Sequence, residues 1–307
     1  MTSLIDEVQQ RLMRLIRHDD AFPNNNVSVT EIKILEQISN RLCIPTCGDS
    51  NEITPIRHIR QADTWDCGLA CMQMIIQWLC NISHASTEEL ETQRIWMADF
   101  VKAKSLWTID LVILLQNMRN NLNCSTTTYL FCSNQFGINE SYTNFHYYKD
   151  AFSNDEVRVK RLFNMAYQLN LPLLQVGRMS MNIFIELVSR ENIVAIVLLD
   201  NSIYNQQHSS SSCIEPTTKS SGQSDSYSGH YVVVCGVSRD ESDIAIANVN
   251  SQNGADGYNY CLVIKNPGVW KDTEFVSPAL FEKSWRAKGT DEDIVFVSKH
   301  PDRMVKG

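Results

Sequence analysis

The chain has 307 residues, of which 43% are hydrophobic and 20% charged, so it can bury the core of one large domain or of one domain with an extension. Its formal net charge of −8 argues against nucleic acid as a main partner, because a phosphate backbone is bound by a basic face. The longest apolar run, at 193–199, is too short to span a bilayer, and no membrane partner is expected.

The N-terminal stretch lacks the continuous apolar segment of a signal peptide, so we expect a cytoplasmic protein, with the nucleus as an alternative. In either compartment the ten cysteines are expected to be reduced thiols. Two pairs, Cys43 with Cys47 and Cys67 with Cys71, have a spacing found among zinc ligands. Scattered buried thiols are the simpler interpretation, because free cysteine packs as a small apolar residue. We therefore predict no metal site.

Two helices are predicted before residue 55. Residues 3–17 carry one apolar stripe, which indicates an amphipathic helix. A second helix begins at a capping box of Ser28 and Glu31, in which each side chain accepts a hydrogen bond from the other residue's backbone N–H. Its apolar positions on one side are Ile32, Leu35, Ile38 and Leu42. The turn-rich residues 44–55 then predict a linker.

Helices precede strands in the rest of the chain. Helices are predicted at 66–80, 87–103, 108–121, 155–170 and 181–190. Strands are predicted at 193–199, 230–237, 260–265 and 294–299, where β-branched residues are frequent. This order predicts an α+β fold in which a helical layer packs on an antiparallel sheet. The predicted divisions are a helical extension with its linker at 1–55, a main domain at 56–300 and a tail at 301–307.

A Ser-rich stretch at 202–228 interrupts the predicted strands. It has too few large apolar side chains to offset its ordering entropy, and we predict a flexible insertion in a surface loop. Its end lies next to Gly229 and His230, so it could control access to that histidine. An inert expansion explains the same composition equally well.

Cys67 stands where an apolar helix begins, directly before Gly68. Thiol catalysis requires a thiolate, and the N–H groups and dipole of a helix N-terminus stabilise one. Cys71 lies one turn further on, where we expect it to pack in the core. Cys67 is therefore the candidate nucleophile of the pair.

The partners of such a nucleophile can be proposed from position alone. His230 begins a strongly apolar strand and is the candidate base, while Asn266 follows the next strand and can orient the imidazole. Gln61 precedes Cys67 by six residues and is the candidate oxyanion donor. A chain with ten cysteines and seven histidines offers some such arrangement by chance, so a purely structural role stays open.

Five ordered motifs carry a family resemblance. They are IRQADTWDCGLACMQMI, SLWTIDL, GHYVVVCGV, NPG and GTDEDIVFV. Over roughly residues 56–300 the chain closely resembles the guanylyl cyclase domain-containing protein family, which is similar to C39-like, papain-fold cysteine peptidases. The resemblance implies a papain-like fold and a catalytic set of Gln61, Cys67, His230 and Asn266.

The favoured prediction is a cysteine hydrolase that cleaves a peptide or amide bond through a Cys67 thioester. A peptide or protein substrate is expected and no cofactor, while the sequence leaves the oligomeric state undetermined. One alternative is a guanylyl cyclase that makes cyclic GMP from GTP with Mg²⁺, as the family name implies. Another is a catalytically silent interaction protein with the same fold.

The cyclase alternative requires carboxylates that hold Mg²⁺. The best acidic cluster is Asp291, Glu292 and Asp293, which we interpret as a solvated turn, because runs of charge usually face water. In the SLWTIDL motif, Thr108 and Asp110 fit a helix N-terminus, so a structural role is expected for them.

Overall fold

The computed structural model describes residues 28–44, 53–121, 127–137, 152–205, 227–249 and 258–300. The helices in these ranges are α1 (Val29–Arg41), α2 (Cys67–Leu79), α3 (Thr87–Val101), α4 (Thr108–Asn121), α5 (Phe152–Gln168), α6 (Met181–Val188), α7 (Asn201–Tyr204), α8 (Glu241–Val249) and α9 (Pro278–Trp285). The strands are β1 (Thr127–Ser133), β2 (Leu173–Gln175), β3 (Ile193–Asp200), β4 (Gly229–Ser238), β5 (Cys261–Lys265), β6 (Glu274–Val276) and β7 (Ile294–Lys299).

All these strands join one sheet in the order β2-β1-β7-β3-β4-β5-β6. Strands β1 and β2 pair in parallel, whereas every other neighbouring pair is antiparallel. The sheet is therefore mixed, and the fold class is α+β. A β-bulge between Val234 and Gly236 shifts the register of β4 against β5.

Hydrophobic cores cover both faces of the sheet. One core includes Leu35 of α1, Phe184 of α6 and Trp285 of α9. The other is formed by α2, α4 and α5, and α3 packs outside them against α2 and α4. Side chains alternate along β4, so that Val232 belongs to the first core and Tyr231 to the second.

Local sequence signals predicted several elements well. The N–H of Glu31 donates to the Ser28 hydroxyl at 3.2 Å, and the N–H of Ser28 donates to the Glu31 carboxylate at 2.8 Å. Helix α1 therefore begins at the predicted capping box, and Ile32, Leu35 and Ile38 are buried as expected. The six helices predicted within the described residues and the four predicted strands all occur, with ends shifted by up to three residues.

Two predictions about the architecture were wrong in detail. The sheet is not purely antiparallel, because β2 pairs in parallel with β1, and helices cover two faces rather than one. The elements missed in the sequence are β1, β2, β6, α7, α8 and α9. Strands β2 and β6 have three residues each and α7 has four, which is too short for a periodic pattern.

The predicted helix at 3–17, most of the predicted linker at 44–55 and the tail at 301–307 lie outside the described residues, as do residues 206–226 of the Ser-rich stretch predicted at 202–228. The predicted division at residue 55 therefore stays a prediction. The first residues of the Ser-rich stretch are not a loop but belong to α7. Among the helices that the structure describes, none combines the length and apolar character needed to cross a bilayer.

Candidate functional site

Cys67 is the first residue of α2 and faces a cleft. The preceding residue, Asp66, makes no side-chain capping hydrogen bond to the helix; its carboxylate accepts the N–H of Asp63 at 3.0 Å. Burial raises the pKa of the Cys67 thiol, while hydrogen bonds from the backbone N–H groups of Tyr231 and Gly68 partly oppose this rise. The thiol is therefore protonated at neutral pH.

Cys71 lies one turn deeper and is fully buried. Burial raises its pKa well above the ordinary value, in keeping with the packing role expected for it. Across the described ranges, no group of three or more His, Cys, Asp or Glu side chains could hold a metal ion by itself.

The His230 imidazole belongs to a buried polar chain. Its Nε2 lies 2.8 Å from the Asn266 Oδ1, which also accepts the N–H of Gly268 at 2.9 Å. The Asn266 Nδ2 donates to Glu274 at 2.8 Å, and the Tyr204 hydroxyl donates to the same carboxylate oxygen at 3.0 Å. These partners require that Nε2 of His230 carries the proton and that Nδ1 is the acceptor. Burial lowers the pKa of the imidazole, so the ring is neutral at pH 7.

The structure joins His230 to Asn266 but does not join His230 to Cys67 by a hydrogen bond. The sulfur instead accepts the backbone N–H of Tyr231, and the imidazole is bonded to Asn266. Alternation along β4 places the side chain of Tyr231 on the side of α2 and that of His230 on the opposite face.

Gln61, the expected oxyanion donor, is held within its own loop. Its side-chain Nε2 donates to the carbonyl of Asp63 at 2.7 Å, and its backbone N–H donates to the carbonyl of Pro267 at 3.0 Å. The second contact ties the segment before α2 to the turn that follows Asn266. The structure thus places Gln61 near the predicted residues with its amide engaged locally.

The cleft beside Cys67 is formed by four segments of the chain. They are residues 64–67, 104–108, 227–231 and 289–293, together with Leu198. The free volume is about 50 Å³, well below the roughly 300–1,000 Å³ of common ligand sites. A larger ligand therefore requires that these walls separate.

The acidic loop at 289–293 contradicts the interpretation as a solvated turn. Asp291 and Asp293 both line the cleft, whereas Glu292 pairs with Arg286. Asp291 and Glu292 adopt the left-handed backbone region, with φ of 50° and 54°. Such conformations are strained for residues other than glycine and cluster at functional sites. The sequence does not show this, because the loop is held by distant segments: the N–H of Asn134 donates to the Asp291 carbonyl at 2.9 Å, and the N–H of Leu198 donates to the Asp293 carbonyl at 3.2 Å.

Asp293 has an unusual acid–base character. Burial and the nearby Asp291 charge raise its pKa to about 8, against an opposing effect of the Thr108 and Ser133 hydroxyls. At pH 7 the Asp293 carboxyl is therefore largely protonated, and a cation that binds beside Asp291 and Asp293 must displace this proton. Mg²⁺ is commonly held by one or two carboxylates, with water and substrate phosphates as its other ligands. The donor set therefore fits Mg²⁺ bound together with a phosphorylated substrate.

One wall of the cleft is anchored by a buried ion network. The Trp107 indole donates to the Asp155 carboxylate at 3.2 Å, and the Trp107 N–H donates to Asp110 at 2.9 Å. Arg158 pairs with both carboxylates. Asp110 therefore has the structural role expected from the sequence.

We expect all three thiols to react slowly with iodoacetamide at pH 7, with Cys43 the fastest, Cys67 slower and Cys71 the slowest. Cys43 is exposed, Cys67 lines the cleft with a raised pKa, and Cys71 is buried. Reaction requires the thiolate, so the rate at Cys67 should increase as the pH rises towards 9. Peptide mapping by mass spectrometry measures all three rates, and labelling of Cys67 faster than Cys43 at pH 7 would contradict this order.

The guanylylate cyclase family profile matches residues 56–297. The chain belongs to this family. A curated relative, Guanylyl cyclase 1 of Arabidopsis thaliana, is 30% identical over 264 residues, which cover 82% of this chain and 78% of the relative. These findings confirm the resemblance drawn from the five motifs. No solved structure matches.

The same findings correct the favoured prediction. The assignment to peptidases, thiol proteases and cysteine hydrolases was wrong, because the family and its named relative both point to a guanylyl cyclase-type protein. The protonated Cys67 thiol and its contact with Tyr231 agree with this correction. The alternative that followed from the family name is the better supported one.

Proposed function

We propose that the chain is an enzyme that converts GTP into cyclic GMP and pyrophosphate in the cleft beside Cys67. The observation that carries this proposal is the position of Asp291 and Asp293, which line one cleft in a member of the guanylylate cyclase family. The relative named Guanylyl cyclase 1 supports the same activity.

The reaction sets the requirements for the site. The ribose 3′-oxygen bonds to the α-phosphorus, the bond from that phosphorus to the bridging oxygen breaks, and the 3′-hydroxyl proton passes to solvent. Negative charge then grows on the departing pyrophosphate. Asp291 and Asp293 would hold Mg²⁺, which neutralises this charge when bound.

Two further features of the cleft favour phosphate groups. The N-terminus of α2 lacks a side-chain cap, and its N–H groups and dipole attract negative charge. Lys104 also lines the cleft and adds a positive charge. Together they can bind phosphates while the two carboxylates hold the cation.

Nucleotide entry requires that the cleft opens. Ligand sites commonly have about 300–1,000 Å³ of space, far more than the free volume here. Tyr227 fills part of the cleft, where its ring lies so close to Gly289 that a Cβ there would be 2.8 Å from it. Movement of Tyr227 away from Gly289 is the simplest way to make room for GTP.

A papain-like, C39-like architecture belongs to this proposal as well. It is supported by a helix that begins at Cys67 and packs on β4, and by the bond between His230 at the start of β4 and Asn266 after β5. Under this proposal, members of the family catalyse a cyclase reaction with a fold that cysteine peptidases also have, since one fold can host unrelated functions.

The test is incubation of the full chain with GTP and Mg²⁺, with mass spectrometric detection of cyclic GMP and pyrophosphate. We expect product from the wild type and a loss of at least about 100-fold in Asp291→Asn and in Asp293→Asn, because each removes a cation ligand. Asp99→Asn changes an exposed carboxylate on α3 and should retain the wild-type rate. Absence of product from the wild type, or normal rates in both cleft variants, would reject the proposal.

A further inference from the structure

Helix α3 presents an apolar face to solvent. Ile95, Trp96 and Phe100 are 49%, 41% and 37% exposed, and the Trp96 and Phe100 rings stack with their centroids 5.8 Å apart. Of the 15 residues of this helix, all of which the structure describes, only Met97 is buried. Neighbouring exposed apolar side chains that include aromatic rings are typical of surfaces that bind another protein.

A groove lies beside the same face, between α3 and α4. Its volume is about 970 Å³, and Trp96 and Met118 supply its large apolar side chains. Glu88 and Glu89, in the first turn of α3, form an acidic end of the groove. The groove is therefore suited to a surface that combines apolar side chains with a positive charge.

The two ends of this face carry opposite charges. Glu88, Ile95 and Lys102 are exposed and follow one another at intervals of seven residues, so they lie along one stripe of the helix surface. Glu88 and Lys102 are about 21 Å apart along the axis, at about 1.5 Å per residue, and cannot pair within one helix. Neither of them forms an ion pair with any other residue that the structure describes. Ile95 stands midway between the two charges.

This arrangement is complementary to itself. If a second α3 is rotated by 180° about an axis through Ile95, the two helices are antiparallel and Glu88 of each copy faces Lys102 of the other. The Ile95 side chains then meet at the axis, and the Trp96 rings lie beside this contact. An interface with two-fold symmetry requires this relation, because the same patch must serve as both surfaces.

We infer that the exposed face of α3 is the interface of a homodimer, in which two α3 helices pack antiparallel about a two-fold axis near Ile95. Trp96 is buried against the second copy, and the aliphatic part of Lys102 crosses the groove to reach the acidic end formed by Glu88 and Glu89. An unrelated partner would not require charges spaced equally on both sides of Ile95. The inference does not depend on the proposed function, since none of these residues lines the cleft beside Cys67.

Sedimentation velocity of the full-length wild type over a wide range of concentrations tests the dimer. We expect a species with twice the 35.0 kDa mass of one chain at high concentration. Trp96→Ser should weaken association by about 100-fold or more, because an interface tryptophan commonly contributes much of the affinity and each substitution occurs twice in the dimer. Trp270→Ser changes a tryptophan that is 82% exposed outside α3 and is the matched control, which should associate as the wild type does.

An exchange of charges identifies the partner as a second α3. Glu88→Lys and Lys102→Glu should each weaken self-association by about tenfold or more, because each places like charges opposite one another at both ends of the interface. An equimolar mixture of the two single variants should associate as the wild type does, since a Lys then faces a Glu at both ends. Higher salt should weaken the wild-type dimer by screening these pairs.

Thermal unfolding of each variant shows whether the fold is retained. A wild type that is monomeric at every concentration would overturn the inference, as would a dimer that Trp96→Ser and both charge variants leave intact. Failure of the mixture to associate, although each variant is folded, would also overturn it, because the face would then bind something other than a second α3.

Discussion

Asp293→Asn is expected to stabilise the folded protein at pH 8 while it removes cyclic GMP formation. The pKa of the Asp293 carboxyl is about 8 in the folded state, whereas the ordinary value of 3.8 applies to the unfolded chain. The folded state therefore binds more protons than the unfolded state between these values, and stability falls as the pH rises through this window. An Asn side chain carries no charge to desolvate, so the variant should lose this dependence.

Urea unfolding at pH 5, 6.5 and 8 measures the difference. We expect the free energy of unfolding of Asp293→Asn to exceed that of the wild type by about 2 kcal/mol or more at pH 8. This is less than the free energy that corresponds to the whole pKa shift at about 1.36 kcal/mol per pKa unit. The difference should shrink towards pH 5. Asp99→Asn, at an exposed site, should show no such trend, and a pH-independent difference for Asp293→Asn would contradict the prediction.

A gain in stability together with a loss of activity would show why Asp293 is present. Residues that destabilise the folded state are retained where function requires them, and contacts elsewhere offset the lost free energy of unfolding. A variant that lost both stability and activity would instead indicate a structural role. The pair of measurements therefore separates the two explanations for one side chain.

Arg158→Met is expected to destabilise the protein by about 3–5 kcal/mol, because it leaves buried carboxylates without their cation. Arg158 lies between Asp110 and Asp155, both of which are buried. Since Asp155 also accepts the Trp107 indole N–H, the cleft wall should loosen as well. Chemical denaturation at pH 7 measures the change.

Lys160→Met on the same helix is the matched control. Lys160 pairs with Glu156 at the surface, and such pairs contribute less than about 1 kcal/mol. Adding Asp110→Asn to Arg158→Met should recover part of the lost stability, since it removes one buried charge. A loss below about 1 kcal/mol for Arg158→Met would show that the network contributes little.

The parts of the fold predicted from the sequence are those that short-range chemistry specifies. The capping box of Ser28 and Glu31 forms within four residues, and the start of α2 at Cys67 follows from a polar segment before an apolar one. Strands β2 and β6 were missed because three residues give no alternation to recognise. Their existence depends on pairing with strands that are distant in the sequence.

The contact between His230 and Asn266 was predicted for the same reason. His230 and Asn266 stand at ends of long, recognisable strands, and the structure brings them together. Glu274 and Tyr204, which complete that polar chain, lie on β6 and α7, elements too short to predict. No local pattern marked either residue.

The sequence by itself determined the family, the α+β class and the positions of most of the long helices and strands, because these depend on motif order, periodicity and capping within single segments. The seven-residue strand β1 was missed. Only the tertiary structure decided which side chains face the cleft. Asp293 became a cleft carboxylate with a raised pKa through burial and through Asp291, and Cys67 stayed a protonated thiol against the Tyr231 N–H. Desolvation and charge proximity depend on distances between segments far apart in the chain, and no spacing along the sequence encodes them.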